Sequence, residues 1–215
     1  MNKNIAKIFR SRILSAMIFF GIAGAIWGGW DLYGSTPPAD YPLTIIGAIL
    51  LGILGGLGLA LPTRGVKGVL WVVLLGLIGA ILGFIAAWVG IYNLSILGIR
   101  ILAIFNPPAD FANFLALDPK LGIASYWLNF ALVGAFMGLF FAIGLRKKIL
   151  PMVLRGAFGF GLAAIIGPIL GNIIGNLFNS LLVNYILTFL IIGIVLGLSL
   201  SLKISKKEKE GSMTI

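Results

Sequence analysis

Residues 68–91 read GVLWVVLLGLIGAILGFIAAWVGI, a run of 24 residues without a charged side chain. About 20 consecutive apolar residues in a helix are enough to cross the hydrocarbon core of a bilayer. The run therefore predicts a membrane-spanning helix. Five further apolar stretches extend the prediction to six spans, and they lie at about 13–30, 43–61, 125–145, 156–178 and 181–202.

The composition of the whole chain agrees with this prediction. Hydrophobic residues make up 60% of the 215 positions and charged residues only 10%, and the mean hydropathy is +1.12. A soluble domain of this size needs a far more polar exterior. The sequence therefore predicts an all-α integral membrane protein, with residues 1–215 as a single membrane domain.

The long segment between the third and fourth spans contains a shorter apolar run at residues 94–105. This run is too short to cross a bilayer and carries Arg100. Such a segment is typical of a helix that lies in the membrane interface. We therefore expect a short interfacial helix on the outer side of the membrane.

Basic residues are distributed very unevenly between the two sides of a six-span topology. The chain has 16 Lys and Arg against 6 Asp and Glu, and all but two of the basic residues, Arg100 and Lys120, fall on one side. The positive-inside rule places that side, and both termini, in the cytoplasm. We expect a multi-pass protein of the cell membrane and no nucleic-acid partner, because the net charge of +10 lies in the turns and tails of an apolar chain.

Similar sequence patterns recur along the chain. The first and third spans share GIAGAIWG at 21–28 and GLIGAILG at 76–83, and the fifth carries the looser FGLAAIIG at 160–167. The loops PPADY at 37–41 and PPADF at 107–111 are also alike. Internal repetition of this kind predicts three tandem parallel hairpins, at about 1–67, 68–150 and 151–215, around a pseudo-threefold axis along the membrane normal.

Glycines at four-residue spacing occur in all six spans. Within lipid, helices associate through close packing and interhelical hydrogen bonds, and small residues let their backbones approach. We expect these glycines to form the helix-packing surfaces: Gly24, Gly28, Gly52, Gly56, Gly79, Gly83, Gly134, Gly138, Gly171, Gly175, Gly193 and Gly197.

The chain offers little for catalysis. It contains no His and no Cys, and no carboxylate lies in the middle of a span. These residues supply most general bases, nucleophiles, metal ligands and membrane proton relays. We therefore expect no enzyme activity, no cofactor and no metal.

Two polar features remain as candidate sites. Asn172, Asn176 and Asn179 share one helix face, and they either make interhelical hydrogen bonds or line an outward-facing polar pocket. The basic tail either serves orientation alone or contacts anionic lipid, through Lys203, Lys206, Lys207 and Lys209.

Two functions are compatible with these features. The first is a structural or accessory subunit that packs in a membrane complex through its glycine faces, with the bilayer and other membrane subunits or further copies as partners. The second is a passive channel or carrier for a neutral or lipidic solute along the pseudo-threefold axis, with the asparagines in its wall. A filled axis favours the first function, and an open cavity lined by asparagines favours the second.

Overall fold

A computed structural model describes residues 11–34, 45–105 and 119–202, which form helices without any strand. Five of the described helices are long and apolar enough to span a membrane. The exception is α2, whose 16 described residues extend about 24 Å, less than the hydrocarbon core. In chain order the helices are α1 (Arg12–Gly34), α2 (Ile45–Ala60), α3 (Val66–Phe105), α4 (Pro119–Leu145), α5 (Ile149–Leu177) and α6 (Leu181–Ser201).

The helices are arranged as a ring in chain order. Each one packs against the helix before it and the helix after it, and α6 closes the ring by packing against α1. In addition, α2 touches both α4 and α6. This order places α1 and α4 on opposite sides of the ring. The turns between helices lie at the two ends of the bundle.

We name the two ends of the bundle by their residues. The basic end contains the start of α1, the α2–α3 and α4–α5 turns and the end of α6. It includes Arg12, Arg64, Lys67, Lys147 and Arg155. The asparagine end contains the α5–α6 turn with its four asparagines, Asn172, Asn176, Asn179 and Asn184.

The third helix differs from the sequence expectation. Residues 94–105 do not form a separate interfacial helix, because α3 continues without a break from Val66 to Phe105 over 40 residues, or about 60 Å. No proline interrupts this stretch, and arginine and leucine are good helix formers. Arg100 lies within the apolar run and leaves the helix intact.

The fifth helix begins earlier than the apolar pattern indicates. It starts at Ile149 instead of near Gly156, so that Pro151 and Arg155 lie inside it. Proline is tolerated in the first turn of a helix because the amide groups there have no intrahelical acceptor. The helix also contains Pro168, whose missing N–H leaves the carbonyl of Ala164 without its usual donor.

Two tight turns join α4 to α5 and α5 to α6 by the same hydrogen-bond pattern. After α5, the amide of Asn179 donates to Asn176 O and that of Ser180 donates to Gly175 O, at 3.2 and 3.1 Å. Asn179 adopts a φ of 48°, and Arg146 adopts 52° in the corresponding turn after α4. This is the Schellman motif, in which a left-handed residue ends the helix and satisfies its last carbonyls.

Glycines bring neighbouring helix backbones into direct contact around the ring. A Cβ atom placed on any of the twelve glycines singled out above would lie less than 3.0 Å from an atom of a neighbouring helix, a separation that real Cβ atoms essentially never show. Between α4 and α5, Gly134 faces the carbonyl of Gly156 and Gly138 faces the carbonyl of Met152. Only the absence of a side chain allows these two helices to approach so closely.

The other junctions use glycine in the same way. Gly24 and Gly28 face α6, and Gly193 and Gly197 face α1 in return. The remaining six lie at three of the other four junctions: Gly52 and Gly56 face α3, Gly79 and Gly83 face α4, and Gly171 and Gly175 face α6. All twelve glycines therefore meet helices of the same chain.

Large aliphatic side chains occupy the outside of the bundle. On α1 they recur every four residues, and Ile18, Ile22 and Ile26 are each about two-fifths or more exposed. Similar exposed rows run along α3 and α5. Residues four apart share one helix face, so these rows form apolar stripes that suit contact with lipid.

We predict that Gly138→Ala destabilises the protein. The added methyl group overlaps the Met152 carbonyl and forces α4 and α5 apart, at a cost on the order of 1–3 kcal/mol. The melting temperature of the detergent-purified protein measures this loss. Gly29→Ala is the matched control, because no atom lies within 4 Å of the position of its added methyl group. Equal melting temperatures for the two variants would contradict the packing role of Gly138.

Candidate functional site

Aromatic side chains fill the centre of the ring. Trp27 of α1 stacks on Phe130 of α4 with ring centroids 6.2 Å apart, and Phe20 meets Phe141 edge to face at 6.1 Å. These two pairs connect helices on opposite sides of the ring. All four side chains are 0 or 1% exposed. The interior is therefore closed by ring-to-ring contact at two levels along α1.

Further aromatic contacts extend this central cluster to the other helices. Phe189 of α6 lies 4.3 Å from Trp27, and Phe160 of α5 lies 4.9 Å from Phe130, between ring centroids. Aromatic pairs at these separations are favourable beyond the area that they bury. The Trp27 Nε1 atom is buried and has no hydrogen-bond partner among the described residues.

Asparagine side chains join α5 and α6 at the asparagine end. Asn184 donates from Nδ2 to Asn172 Oδ1 at 2.6 Å, and its own Oδ1 accepts from Thr188 Oγ1 at 3.2 Å. A hydrogen-bonded amide chain therefore links the two helices where Gly171 and Gly175 bring them together. A cleft of about 260 Å³ lies beside it, lined by Gly175, Asn176, Asn179, Ser180, Leu181 and Asn184.

The sequence suggested two roles for the three asparagines, an interhelical hydrogen bond or the lining of a polar pocket, and the structure shows both. Asn172 makes an interhelical hydrogen bond and does not line the cleft, whereas Asn176 and Asn179 line it. All three are exposed on the outside of the bundle, away from the central aromatic cluster. Sequence reasoning missed Thr188, although it lies four residues after Asn184 and therefore on the same helix face.

Cations at the basic end bind helix C-termini. Arg64 donates from an Nη atom to Leu145 O at the end of α4, at 2.8 Å, and Arg155 donates to Leu202 O after α6, at 2.5 Å. The last carbonyls of a helix have no intrahelical donor and carry partial negative charge. These two arginines therefore stabilise the ends of α4 and α6.

A second group of cations at the basic end lies close together. Arg12 begins α1, Lys147 lies in the α4–α5 turn, and Arg155 lies on α5. Burial first, and then the positive charges of Arg12 and Arg155, together lower the pKa of Lys147 to about 8. Sequence reasoning counted these residues for orientation and did not group them, because they are far apart in the chain.

Several predicted features lie outside the described residues. They are the tail lysines Lys203, Lys206, Lys207 and Lys209 and the paired loops at 37–41 and 107–111. Within the described ranges, no group of three His, Cys, Asp or Glu side chains is placed to hold a metal ion. The described polar chemistry is thus an amide cleft at one end and a cationic group at the other.

The chain matches no known protein family, no curated protein and no solved structure in the comparisons made with each. The functional argument therefore depends on the geometry of the bundle.

We predict that the stability of the protein rises with pH between about 8 and 10.5, the folded and ordinary pKa values of Lys147. In that interval the unfolded chain binds more protons than the folded one, so raising the pH favours folding. Melting temperatures measured in detergent across this interval test the rise. Lys147→Gln should abolish it and melt higher than the wild type at pH 7.

Lys148→Gln is the control for this prediction. Lys148 is exposed, and its substitution removes the same charge from the same turn. This variant should keep the rise. A rise of equal size in the Lys147→Gln variant would show that another group is responsible.

Proposed function

We propose that the protein is a non-catalytic structural or accessory subunit of a membrane complex. In this proposal the chain crosses the membrane six times as three tandem parallel hairpins, including the short α2. The ring order supports the hairpin arrangement, because α1–α2, α3–α4 and α5–α6 are each adjacent and packed together.

One observation carries the proposal: the contact of aromatic rings across the centre of the bundle. Trp27 with Phe130, and Phe20 with Phe141, occupy the axis along which a channel or carrier would conduct. Solute passage along that axis requires these fully buried rings to separate. The asparagines expected in the wall of a pathway are exposed on the outside. The subunit function is therefore favoured over a passive channel or carrier.

The orientation belongs to the same proposal, with the basic end and both termini in the cytoplasm. All basic residues of the described ranges except Arg100 and Lys120 lie at the basic end, including the exposed Lys67 and Lys148. The positive-inside rule favours this direction of insertion. The side from which a charged reagent labels a cysteine introduced at the exposed Thr63 reports the orientation.

Partner contact through the glycine faces, as the sequence suggested, requires a revision. Each of the twelve glycines faces a helix of the same chain, so these surfaces are already occupied. We place partner contact at the asparagine end, where Leu177, Phe178 and Leu181 are each 65% exposed or more beside the amides of Asn176 and Asn179. A mixture of large apolar side chains with hydrogen-bonding groups is typical of protein interfaces.

Purification from the native membrane in mild detergent tests the proposal. We expect a second membrane protein, or a further copy of the chain, to remain bound and to be identified by mass spectrometry. The double variant Phe178→Ala, Leu181→Ala should lose this partner, because it removes apolar contact area at the asparagine end. The matched control is Leu70→Ala, Leu74→Ala, which truncates two exposed side chains of the α3 stripe and should retain the partner.

Recovery of the wild-type chain as a monomer, free of other proteins, would overturn the subunit proposal. Loss of the partner in both double variants would instead indicate that the partner contact is not specific to the asparagine end.

A further inference from the structure

The guanidinium group of Arg12 is largely buried and has no counter-charge within the described ranges. Its Nε atom and one Nη atom have less than 1 Å² of exposed surface and no hydrogen-bond partner within the described part of the chain. Burying charged donors without partners is unfavourable, and native structures normally pair them. The hydroxyl of Ser15, one turn further along α1, is also buried and unpaired there. This part of the bundle therefore contains hydrogen-bond donors without acceptors, on Arg12 and Ser15.

Other cations lie near Arg12, and within the described ranges no carboxylate does. Lys147 and Arg155 both lie near enough for their charges to interact with that of Arg12. Of the six acidic residues, only Asp31 falls in the described ranges, and it lies about 28 Å away along α1. Three mutually repelling cations at one place raise the free energy of the fold unless an anion lies among them.

The N-termini of α1 and α5 at the same place add to the positive potential, while the C-termini of α4 and α6 there already accept hydrogen bonds from Arg64 and Arg155. Arg12 is the first residue of α1, and Lys147 immediately precedes the N-cap of α5, Lys148. Helix N-termini carry partial positive charge and unpaired amide donors, which favour anions and disfavour cations. Both the side chains and the helix ends thus favour a negatively charged group between α1, the α4–α5 turn and α5.

We propose that Arg12, Lys147 and Arg155 bind a phosphate group at the basic end, supplied by the headgroup of an anionic phospholipid. The planar fork of a guanidinium matches two phosphate oxygens, and a lysine adds a point charge. The site lies where the spans of α1 and α5 begin, at the depth of lipid headgroups. Basic pockets between membrane helices bind anionic headgroups at this depth. The site differs from the tail lysines 203–209 and needs no partner protein.

Thermal stability of the full chain in an uncharged, phosphate-free detergent solution tests the site. Short-chain phosphatidylglycerol should raise the melting temperature in a saturable way, and short-chain phosphatidylcholine should raise it less. Loss of Arg12 donors in Arg12→Gln should weaken the apparent affinity about tenfold or more. Lys67→Gln removes an exposed cation from the same end and should change the affinity by less than about twofold.

Inorganic phosphate distinguishes the two sources of the group. Stabilisation by phosphate alone, competing with the lipid, means that the site recognises the free anion as well. Stabilisation by the lipid alone means that the headgroup in its membrane position is required. Both results support a phosphate site at these three residues.

Three results would overturn the proposal. The first is a melting temperature unchanged by either probe. The second is an equal loss of affinity in Arg12→Gln and Lys67→Gln, which would indicate diffuse surface charge. The third is a lipid-free melting temperature below that of the wild type, with a larger response to phosphatidylglycerol, in the double variant Glu208→Gln, Glu210→Gln, which would mean that tail carboxylates neutralise the cations. If Arg12→Gln does not fold, Lys147→Gln provides the same comparison. This variant should fold, because it removes a charge whose burial destabilises the protein.

Discussion

The structure depends on contact between the backbones of neighbouring helices at glycine. At Gly134 and Gly156, a side chain on either residue would overlap the carbonyl of the other. Lipid provides no hydrophobic force between helices, so the attraction comes from dispersion, which requires closely fitting surfaces. The same contact recurs between α1 and α6, where Gly24 and Gly193 face opposite backbones. Six helices can therefore close into a tight ring whose centre is narrow enough for aromatic rings to fill.

The filled centre separates the molecule into surfaces with different chemistry. Trp27 and Phe130 occupy the interior, aliphatic stripes cover the outside of α1, α3 and α5, and the polar clusters described above lie at the two ends. Within the described residues, the central aromatic rings interrupt any polar path between the two ends. Its recognition chemistry is therefore expected at the ends, with amides and exposed apolar side chains at one and buried cations at the other.

Much of the fold follows from local sequence, and the site does not. Apolar length and the breaks at 62–65, 146–148 and 179–180 predict where the described helices reverse, since these signals act within a few residues. The start of α5 was missed because the apolar run begins only after Arg155, although the first turn of the helix accepts Pro151. The grouping of Arg12, Lys147 and Arg155 could not be predicted. It depends on how three distant segments meet in the ring, which single-sequence periodicity does not encode.

The closed centre is tested most directly by cysteine accessibility, because the natural chain has no cysteine. Met137 is fully buried on α4, one turn from Phe141 and two turns from Phe130, on the face that meets α1. In membranes, the account predicts that a small charged thiosulfonate reacts with Thr63→Cys, at an exposed turn, and leaves Met137→Cys unmodified. Reaction of Met137→Cys at a rate comparable with that of Thr63→Cys would show a water-filled axis and contradict the account.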